Sequence, residues 1–212
     1  MKIKLLAATS NPEKIVYLAA RQSRYSEGID SIPKKEITDQ KVKTLIKKLL
    51  EWGHFGPFEH PHFTFAISEA SRAFTHQLVR HRMATYDQQS LRYVNKAGED
   101  NLAMVFPQES SKKIKTSIEN HGKGCLALYK ELINAGIPAE DARFVLPLGT
   151  KTAIVMTMNA RSLMHFLKMR LDKSAQWEIR EAAQEILKIM KRQMPTTFSW
   201  FAKNWEKLKL TP

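Results

Sequence analysis

The sequence predicts an α+β fold, in which helices are separated by a few hairpin-length strands. Residues 63–68 alternate apolar and polar side chains with the two-residue period of a half-buried strand. Residues 110–134 form a long predicted helix, which Gly136 and Pro138 close. No Pro-, Gly- or Ser-rich linker divides the 212 residues, of which 43% are hydrophobic, so we expect a single domain over residues 1–212.

The start of the chain is predicted to hold one strand and two helices. Residues 2–7 alternate enough for a strand, and Asn11 followed by proline is typical of a helix start. Thr38 opens a second helix, which Gly53 ends. Two prolines and three histidines then predict a loop over residues 54–62.

Helices dominate the remainder of the chain. The pattern after the strand at 63–68 predicts a helix over residues 71–82 and an irregular or short-stranded segment over residues 83–95. Residues 152–159 favour a strand. Three further helices are predicted over residues 160–171, 174–194 and 198–205, and Pro195 stops the second of them.

Composition narrows the class of protein. Lysine and arginine number 34 against 21 aspartates and glutamates, a formal charge of +13, which favours a polyanionic partner such as nucleic acid or a phosphorylated small molecule. The single cysteine, Cys125, excludes a disulfide framework and a cysteine-rich zinc site, and it suits a reducing compartment. The apolar run at the N-terminus is too short for a membrane span and too weak for a signal peptide, so we expect a cytoplasmic protein with no membrane partner.

The most informative segment is residues 77–93, which read QLVRHRMATYDQQSLRY. Gln77, Arg80 and His81 are spaced to share one face of a helix, and Arg82 projects about 100° away from His81. Hydrogen-bonding side chains and another arginine follow, between two tyrosines. Guanidinium groups match phosphate geometry, so the segment is suited to bind a planar, hydrogen-bonding ring and its phosphate.

From Arg80 onward, R-H-R-M-A-T-Y-D-Q-Q-S-L-R-Y resembles the signature R-H-R-x-x-S-x-N-E-x-S-x-R-Y of the flavin-dependent thymidylate synthases. Thr85 stands for Ser, Asp87 for Asn and Gln88 for Glu. In the family the Glu position touches both FAD and nucleotide. Glutamine keeps the length and an acceptor oxygen but loses the charge.

Further segments extend the resemblance over most of the chain. H-F-G-P-F-E-H, starting at His54, looks like the family's H-x-[ST]-P-F-E-H loop, with Gly56 where Ser or Thr commonly contacts FAD. That contact would be made by backbone here. A-R-F-V-L-P, which contains Arg143, is similar to the A-R-x-x-L-P segment whose arginine binds the nucleotide phosphate. N-A-R-S-L, starting at Asn159, resembles the flavin-contacting N-x-R-[ST]-L, and His165 stands where Asn is usual.

Arg170 falls at the family's catalytic arginine. It also extends an apolar helical stripe formed by Leu163, Phe166 and Leu167. An arginine on a core face needs an anion, a polar ring or an opening to solvent, and snorkelling at the helix end is the alternative to substrate contact. The resemblance implies that this arginine stabilises negative charge on the uracil ring.

The resemblance implies an antiparallel sheet flanked by helices, with a long-helix bundle. It implies reductive methylation of dUMP to dTMP, with methylenetetrahydrofolate as one-carbon donor and FAD reduced by NADPH, in a homotetramer whose active sites are shared between subunits. The implied dUMP-binding residues are Gln77, Arg80, Gln88, Gln89, Ser90, Arg92, Arg143 and Arg170. The implied FAD-binding residues are His54, Gly56, Glu59, Arg80, His81, Arg82, Gln88, Asn159, Arg161 and His165.

The residues themselves favour a route without an enzyme nucleophile. Cys125 is in phase with Tyr129 and Leu132 on an apolar helix face, so we expect a buried structural cysteine. No His–carboxylate pair adjoins Ser90 in the sequence to activate it. There is no G-x-G-x-x-G, so a Rossmann motif is not expected to hold the flavin.

Three alternatives stay open. A metal-dependent hydrolase would use histidines and a glutamate whose spacing matches no recognised zinc pattern, so no metal is expected; these residues are His54, Glu59, His60, His62, His76 and His81. A nucleic-acid-binding protein would explain the lysines but not the arginines interleaved with polar residues, so no nucleic acid partner is expected. A family member with an altered nucleotide substrate would explain the departures at Gly56, Asp87, Gln88 and His165.

Overall fold

A computed structural model of the chain describes residues 1–23 and 37–208. The strands are β1 (Lys2–Ala8), β2 (His62–Ser71), β3 (Thr85–Gln88) and β4 (Lys151–Asn159). They form an antiparallel sheet in the order β1-β2-β4-β3. The predicted α+β class with an antiparallel sheet and flanking helices is confirmed, and the short strand expected within residues 83–95 is β3.

The helices account for most of the remaining described residues. They are α1 (Pro12–Gln22), α2 (Asp39–Glu51), α3 (Arg72–Leu78), α4 (Lys112–Asn134), α5 (Ala139–Ala142), α6 (Ala160–Arg170), α7 (Trp177–Gln193) and α8 (Pro195–Asn204). Two short 3-10 helices cover Gly56–Glu59 and Arg143–Val145. The sequence patterns did not predict these two or α5, because elements of three or four residues are too short to show a period.

The chain divides into two compact units, and each is described by itself. Unit 1 comprises Met1–Lys2, Ala66–Arg80 and Tyr86–Val155, and unit 2 comprises Ile3–Phe65, His81–Thr85 and Met156–Pro212. The single domain expected over residues 1–212 stays a prediction.

Strand β2 shows the alternation that its sequence predicts. Phe63, Phe65 and Ile67 are fully buried, whereas the intervening residues are partly exposed. The strand continues to Ser71, past the predicted end at residue 68. Within this extension Glu69 adopts a positive φ of 59° and its carboxylate pairs with Lys151 on β4 at 2.5 Å.

Unit 2 gains its core from helices packed in series. Helix α1 packs on α2, α2 on α8, α8 on α7, and α7 on α6. The buried face of α7 has helical spacing and includes Ile179, Ala182, Ala183, Ile186 and Met190. Helix α8 begins at Pro195 rather than at the predicted residue 198, because the Glu13 carboxylate accepts hydrogen bonds from Thr197 N and Oγ1 and satisfies its first turn.

Helix α4 provides the core of unit 1. Leu126 and Tyr129 on its buried face pack against Leu102 and Met104. Cys125 is next to this face and is half-buried, with its Sγ 3.5 Å from His121 Nε2 one turn earlier. The expectation of a buried structural cysteine was therefore wrong, because the buried stripe of α4 runs one residue aside from Cys125.

Helix α3 is shorter than predicted, and this changes the geometry of the informative segment. It ends at Leu78 instead of residue 82. The hydroxyl of Tyr86 donates to the Leu78 carbonyl at 2.8 Å, which satisfies a helix-end acceptor without another helical turn. Arg80 and His81 therefore lie beyond the helix, and the prediction that they share a helix face with Gln77 was wrong.

Candidate active site

The predicted dUMP-binding residues fall mainly in unit 1. This unit contains Gln77, Arg80, Gln88, Gln89, Ser90, Arg92 and Arg143, whereas Arg170 belongs to unit 2. Gln77 is half-buried on α3, and the exposed Arg80 follows it in a turn closed by a hydrogen bond from Arg80 N to Gln77 O at 3.3 Å. Ser90 Oγ accepts from Arg92 N at 3.2 Å, which orders the loop that follows β3.

Glu140 on α5 brings two of the predicted dUMP-binding arginines to one point. Its carboxylate is 3.2 Å from Arg92 Nε, and its backbone carbonyl accepts from Arg143 Nε at 2.9 Å. Arg92 and Arg143 are far apart in the sequence, so their proximity depends on the fold. Two guanidinium groups converge at a glutamate that the sequence patterns did not single out.

Arg72 is a third cation of this cluster, and sequence reasoning missed it. Its terminal nitrogen Nη2 donates to Gln89 O at 3.0 Å. Its buried Nε makes no hydrogen bond to any described residue. Burial, and secondly the nearby charge of Arg143, lower the pKa of Arg72. Arg72 occupies the first position of α3, where the helix dipole disfavours a cation, and that placement is the sequence signal that could have identified it.

Strand β3 turns Gln88 toward the interior of unit 1. Tyr86 and Gln88 are half-buried, whereas Thr85 and Asp87 are exposed on the opposite side of the strand. Gln88 Nε2 donates to Thr75 Oγ1 at 3.1 Å and to Thr152 Oγ1 at 3.4 Å. Of the two departures from the family signature in this strand, Gln88 is thus integrated into the unit's interior and Asp87 is not.

The predicted FAD-binding residues fall mainly in unit 2, with Arg80 and Gln88 in unit 1 as exceptions. Asn159 is the N-cap of α6, where its side chain accepts from Ser162 N at 2.8 Å. Arg161 on the first turn of α6 forms an ion pair with Glu59 of the 3-10 helix. The Arg161–Glu59 pair joins the 54–62 loop to the start of α6.

Four of the other predicted flavin residues of unit 2 are accessible. His54, Arg82 and His165 have exposed side chains, and His165 lies one helical turn after Arg161. Gly56 is exposed, and a Cβ added there would meet no atom within 4 Å. Its backbone can therefore be approached closely, and the missing Ser or Thr side chain leaves open space rather than a filled pocket.

His81 and Arg170 form the most specific polar contact of unit 2. Arg170 Nε donates to His81 Nε2 at 2.9 Å. His81 is only 8% exposed and packs edge-on against Phe166, with ring centroids 5.0 Å apart. Burial, and to a smaller extent the neighbouring Arg170 and His165, together lower the pKa of His81 to about 4. His81 is therefore neutral near pH 7 and able to accept.

Arg170 itself occupies the half-buried position that its sequence pattern indicated. The stripe residues Leu163, Phe166 and Leu167 are fully buried, and Arg170 at the end of α6 is partly exposed. Burial lowers the pKa of its guanidinium. The polar ring that an arginine on a core face requires is the imidazole of His81.

The residues of the metal-dependent alternative do not gather into a ligand cluster in the described part of the chain. Within residues 1–23 and 37–208, no three His, Cys, Asp or Glu side chains come together as metal ligands would. None of the described helices is both long and apolar enough to cross a bilayer.

The chain is similar to known proteins over most of its length. The family model described as "Thymidylate synthase complementing protein" matches residues 4–196. A flavin-dependent thymidylate synthase from Geobacter sulfurreducens is 46% identical over 200 residues, covering 93% of this chain and 85% of that protein. The enzyme of the same name from Halobacterium salinarum is 36% identical, with 95% of each chain covered.

A solved structure supports the fold independently. The UMP/dUMP methylase PolB from Streptomyces cacaoi, bound with 5-Br dUMP, superposes with a TM-score of 0.78 at 25% identity, covering 95% of this chain and 94% of that one. The matched family model and the relatives extend over both units described above. The chain belongs to the flavin-dependent thymidylate synthase family.

Proposed function

We propose that this chain catalyses the reductive methylation of dUMP to dTMP, with methylenetetrahydrofolate as one-carbon donor and FAD reduced by NADPH. Family membership and the likeness to a UMP/dUMP methylase support the reaction. The observation that carries the proposal is the cluster of Arg72, Arg92 and Arg143 in unit 1. Two guanidinium groups contact Glu140, and a third, near Arg143, has a buried nitrogen that lacks a partner among the described residues. Such a group of cations suits the dianionic phosphate of a nucleotide.

The dUMP phosphate binds this cluster, together with Ser90 and Gln89 on the loop that leaves β3. Glu140 holds Arg92 and Arg143 in place before the nucleotide arrives, so less side-chain freedom is lost on binding. Gln77 and Arg80 complete the polar surroundings of the nucleotide, and Gln88 contacts both nucleotide and FAD.

Arg170 is the catalytic residue. Its guanidinium stabilises the negative charge that develops on the uracil ring when the ring is activated toward the one-carbon unit. Neutral His81 fixes one edge of that guanidinium through Nε, which leaves the terminal nitrogens as the donors for the substrate. No thiolate is required, and Cys125 is outside this machinery, with His121 of its own helix as its contact.

The donor set of unit 2 fits FAD. Cationic and hydrogen-bonding groups for a diphosphate and a flavin ring come from His54, Glu59, His81, Arg82, Asn159, Arg161 and His165. The open backbone at Gly56 allows close approach. The chemistry that FAD supplies when bound is hydride transfer, which completes the methyl group. Among the chain's own residues, Glu59 and Arg161 form an ion pair at this site. The surroundings of His81 lower its pKa and keep its imidazole neutral.

The chain assembles as a homotetramer with active sites shared between subunits, acts in the cytoplasm and has no nucleic acid partner. The family relationship supports the assembly, and the single cysteine fits a reducing compartment. The second candidate is a member with an altered nucleotide substrate. The observation that favours it is Gln88, a departure from the signature that the interior of unit 1 accommodates with two hydrogen bonds.

The test is a flavin spectrum of the purified protein before and after addition of dUMP, with UMP in parallel. We expect a flavin absorption that dUMP perturbs, NADPH oxidation that dUMP accelerates, and dTMP formation when methylenetetrahydrofolate is present. A larger response to UMP would select the altered-substrate alternative. A colourless protein, or NADPH oxidation that is the same with and without either nucleotide, would contradict both.

A further inference from the structure

Gln88 ties three elements of unit 1 together through one side-chain amide. It belongs to β3, and its Nε2 reaches Thr75 Oγ1 on α3 at 3.1 Å and Thr152 Oγ1 on β4 at 3.4 Å. Both threonines are buried, with exposures of 1% for Thr75 and 4% for Thr152. The Gln88 side chain has little freedom to rotate, because rotation would break its hydrogen bonds to two buried hydroxyl oxygens.

The Thr75 hydroxyl determines which end of the amide faces it. Thr75 Oγ1 donates to the carbonyl of Arg72, one turn earlier, at 2.9 Å. A hydroxyl has a single proton, so Thr75 can only accept from residue 88. The NH₂ end of Gln88 must therefore point at the threonines, which fixes an amide orientation that distances alone leave ambiguous.

The amide oxygen is the free end. Oε1 of Gln88 accepts no hydrogen bond from residues 1–23 or 37–208. It is also absent from the buried side-chain atoms that lack a partner, so it is open to solvent. Gln88 thus presents one fixed acceptor outward.

A glutamate at this position would meet the same two threonines with different chemistry. An ionised carboxylate donates no hydrogen bond, so Thr75 would have to withdraw its proton from the Arg72 carbonyl to satisfy it. The threonine pair is therefore matched to glutamine, one of the residues by which this chain departs from the family signature.

We propose that Thr75 and Thr152 are positioning residues that hold the Gln88 amide with its oxygen toward the bound nucleotide. Gln88 then determines specificity by accepting a hydrogen bond from an N–H or O–H donor of that nucleotide. This inference rests on the proposed function, because it assumes that dUMP binds beside Gln88.

A double-mutant cycle on dUMP affinity tests it, with the dissociation constant taken from calorimetric titration of the flavin-bound protein. We expect Thr75→Val to raise the dissociation constant about fivefold, the factor typical of one neutral hydrogen bond. In a Gln88→Ala background the same change has no effect, because the threonine acts only through the amide. Thr75→Ser, which retains the hydroxyl, restores the wild-type value.

The matched control is Thr116→Val on the exposed face of α4, where a threonine hydroxyl also donates to a carbonyl one turn earlier, that of Lys112. It is expected to leave the affinity unchanged. Thr152→Val repeats the cycle from β4 in case Thr75→Val unfolds the protein. Gln88→Glu is expected to bind dUMP about fivefold more weakly than wild type.

Failure of the inference can be distinguished from failure of the proposed function. If wild type binds dUMP and Thr75→Val weakens it equally with and without Gln88, the threonine acts through α3 and the inference is wrong. Unchanged affinity in both threonine variants overturns it as well. If the wild-type flavoprotein does not bind dUMP at all, the proposed function is wrong, and the inference that rests on it is wrong as well.

Discussion

Arg170 Nε donates a hydrogen bond to His81 Nε2 at 2.9 Å, across 89 positions of sequence. The contact requires an imidazole without a proton on Nε2, and burial together with the Arg170 and His165 charges keeps His81 in that state by lowering its pKa to about 4. A guanidinium anchored through Nε keeps its terminal nitrogens for another ligand. The pair is thus a neutral histidine that orients a cation.

Replacement of Arg170 is expected to affect turnover more than binding. Arg170→Lys retains a charge but loses the planar guanidinium, so we expect kcat for dTMP formation to fall about 100-fold, a loss typical of one donor to a developing charge. The dissociation constant of dUMP should change far less. Steady-state kinetics and titration measure the two quantities. Arg192→Lys, an exposed arginine in the last turn of α7, is the control, and equal losses in both variants would contradict the assignment.

His81 should make stability depend on pH in a defined window. Its pKa is about 4 in the folded protein against an ordinary value of 6.5, so the unfolded chain takes up the proton first as the pH falls. The free energy of unfolding is then unaffected by His81 above pH 6.5 and decreases between pH 6.5 and 4, by up to about 3 kcal/mol.

Urea unfolding at pH 7 and pH 4.5 measures this decrease. His81→Gln, which cannot titrate, is expected to lose less stability over that interval than wild type. His121→Gln, at an exposed histidine of α4, should behave as wild type. Identical pH dependence in wild type and His81→Gln would refute the explanation.

Arg72 is expected to contribute to nucleotide binding although it lies outside the signature segment. Arg72→Gln removes a charge beside Arg143 while it keeps a donor near Gln89 O, so we expect about a tenfold higher dissociation constant for dUMP. The effect should shrink for deoxyuridine, which lacks the phosphate. Titrations with both ligands measure the difference, and a loss of equal size for both would exclude a phosphate contact.

Cys125 should be dispensable for the reaction. Cys125→Ser yields a protein without any thiol, because the chain has one cysteine. We expect dTMP formation within about twofold of wild type, as is usual for a substitution away from a core or a site. Activity is measured with dUMP, methylenetetrahydrofolate and NADPH. Loss of turnover with an unchanged unfolding midpoint would show that a thiolate takes part after all.

The sequence by itself determined the features that depend on neighbours within one or two turns. The alternation of Phe63, Phe65 and Ile67 predicted β2, and it places these residues in the core. The helix starts at Thr38 and near Ser111 follow from side chains that accept from backbone amides three residues later. These interactions are local, so the order of residues is enough to specify them.

Only the tertiary structure decided where helix α3 ends and which residues from distant segments come together. The end of α3 depends on the Tyr86 hydroxyl, which reaches Leu78 O because β3 folds back beside the helix. The convergence of Arg92 and Arg143 depends on Glu140. Hydrogen bonds between side chains far apart in sequence form only after the core has fixed their backbones, so no local pattern encodes them.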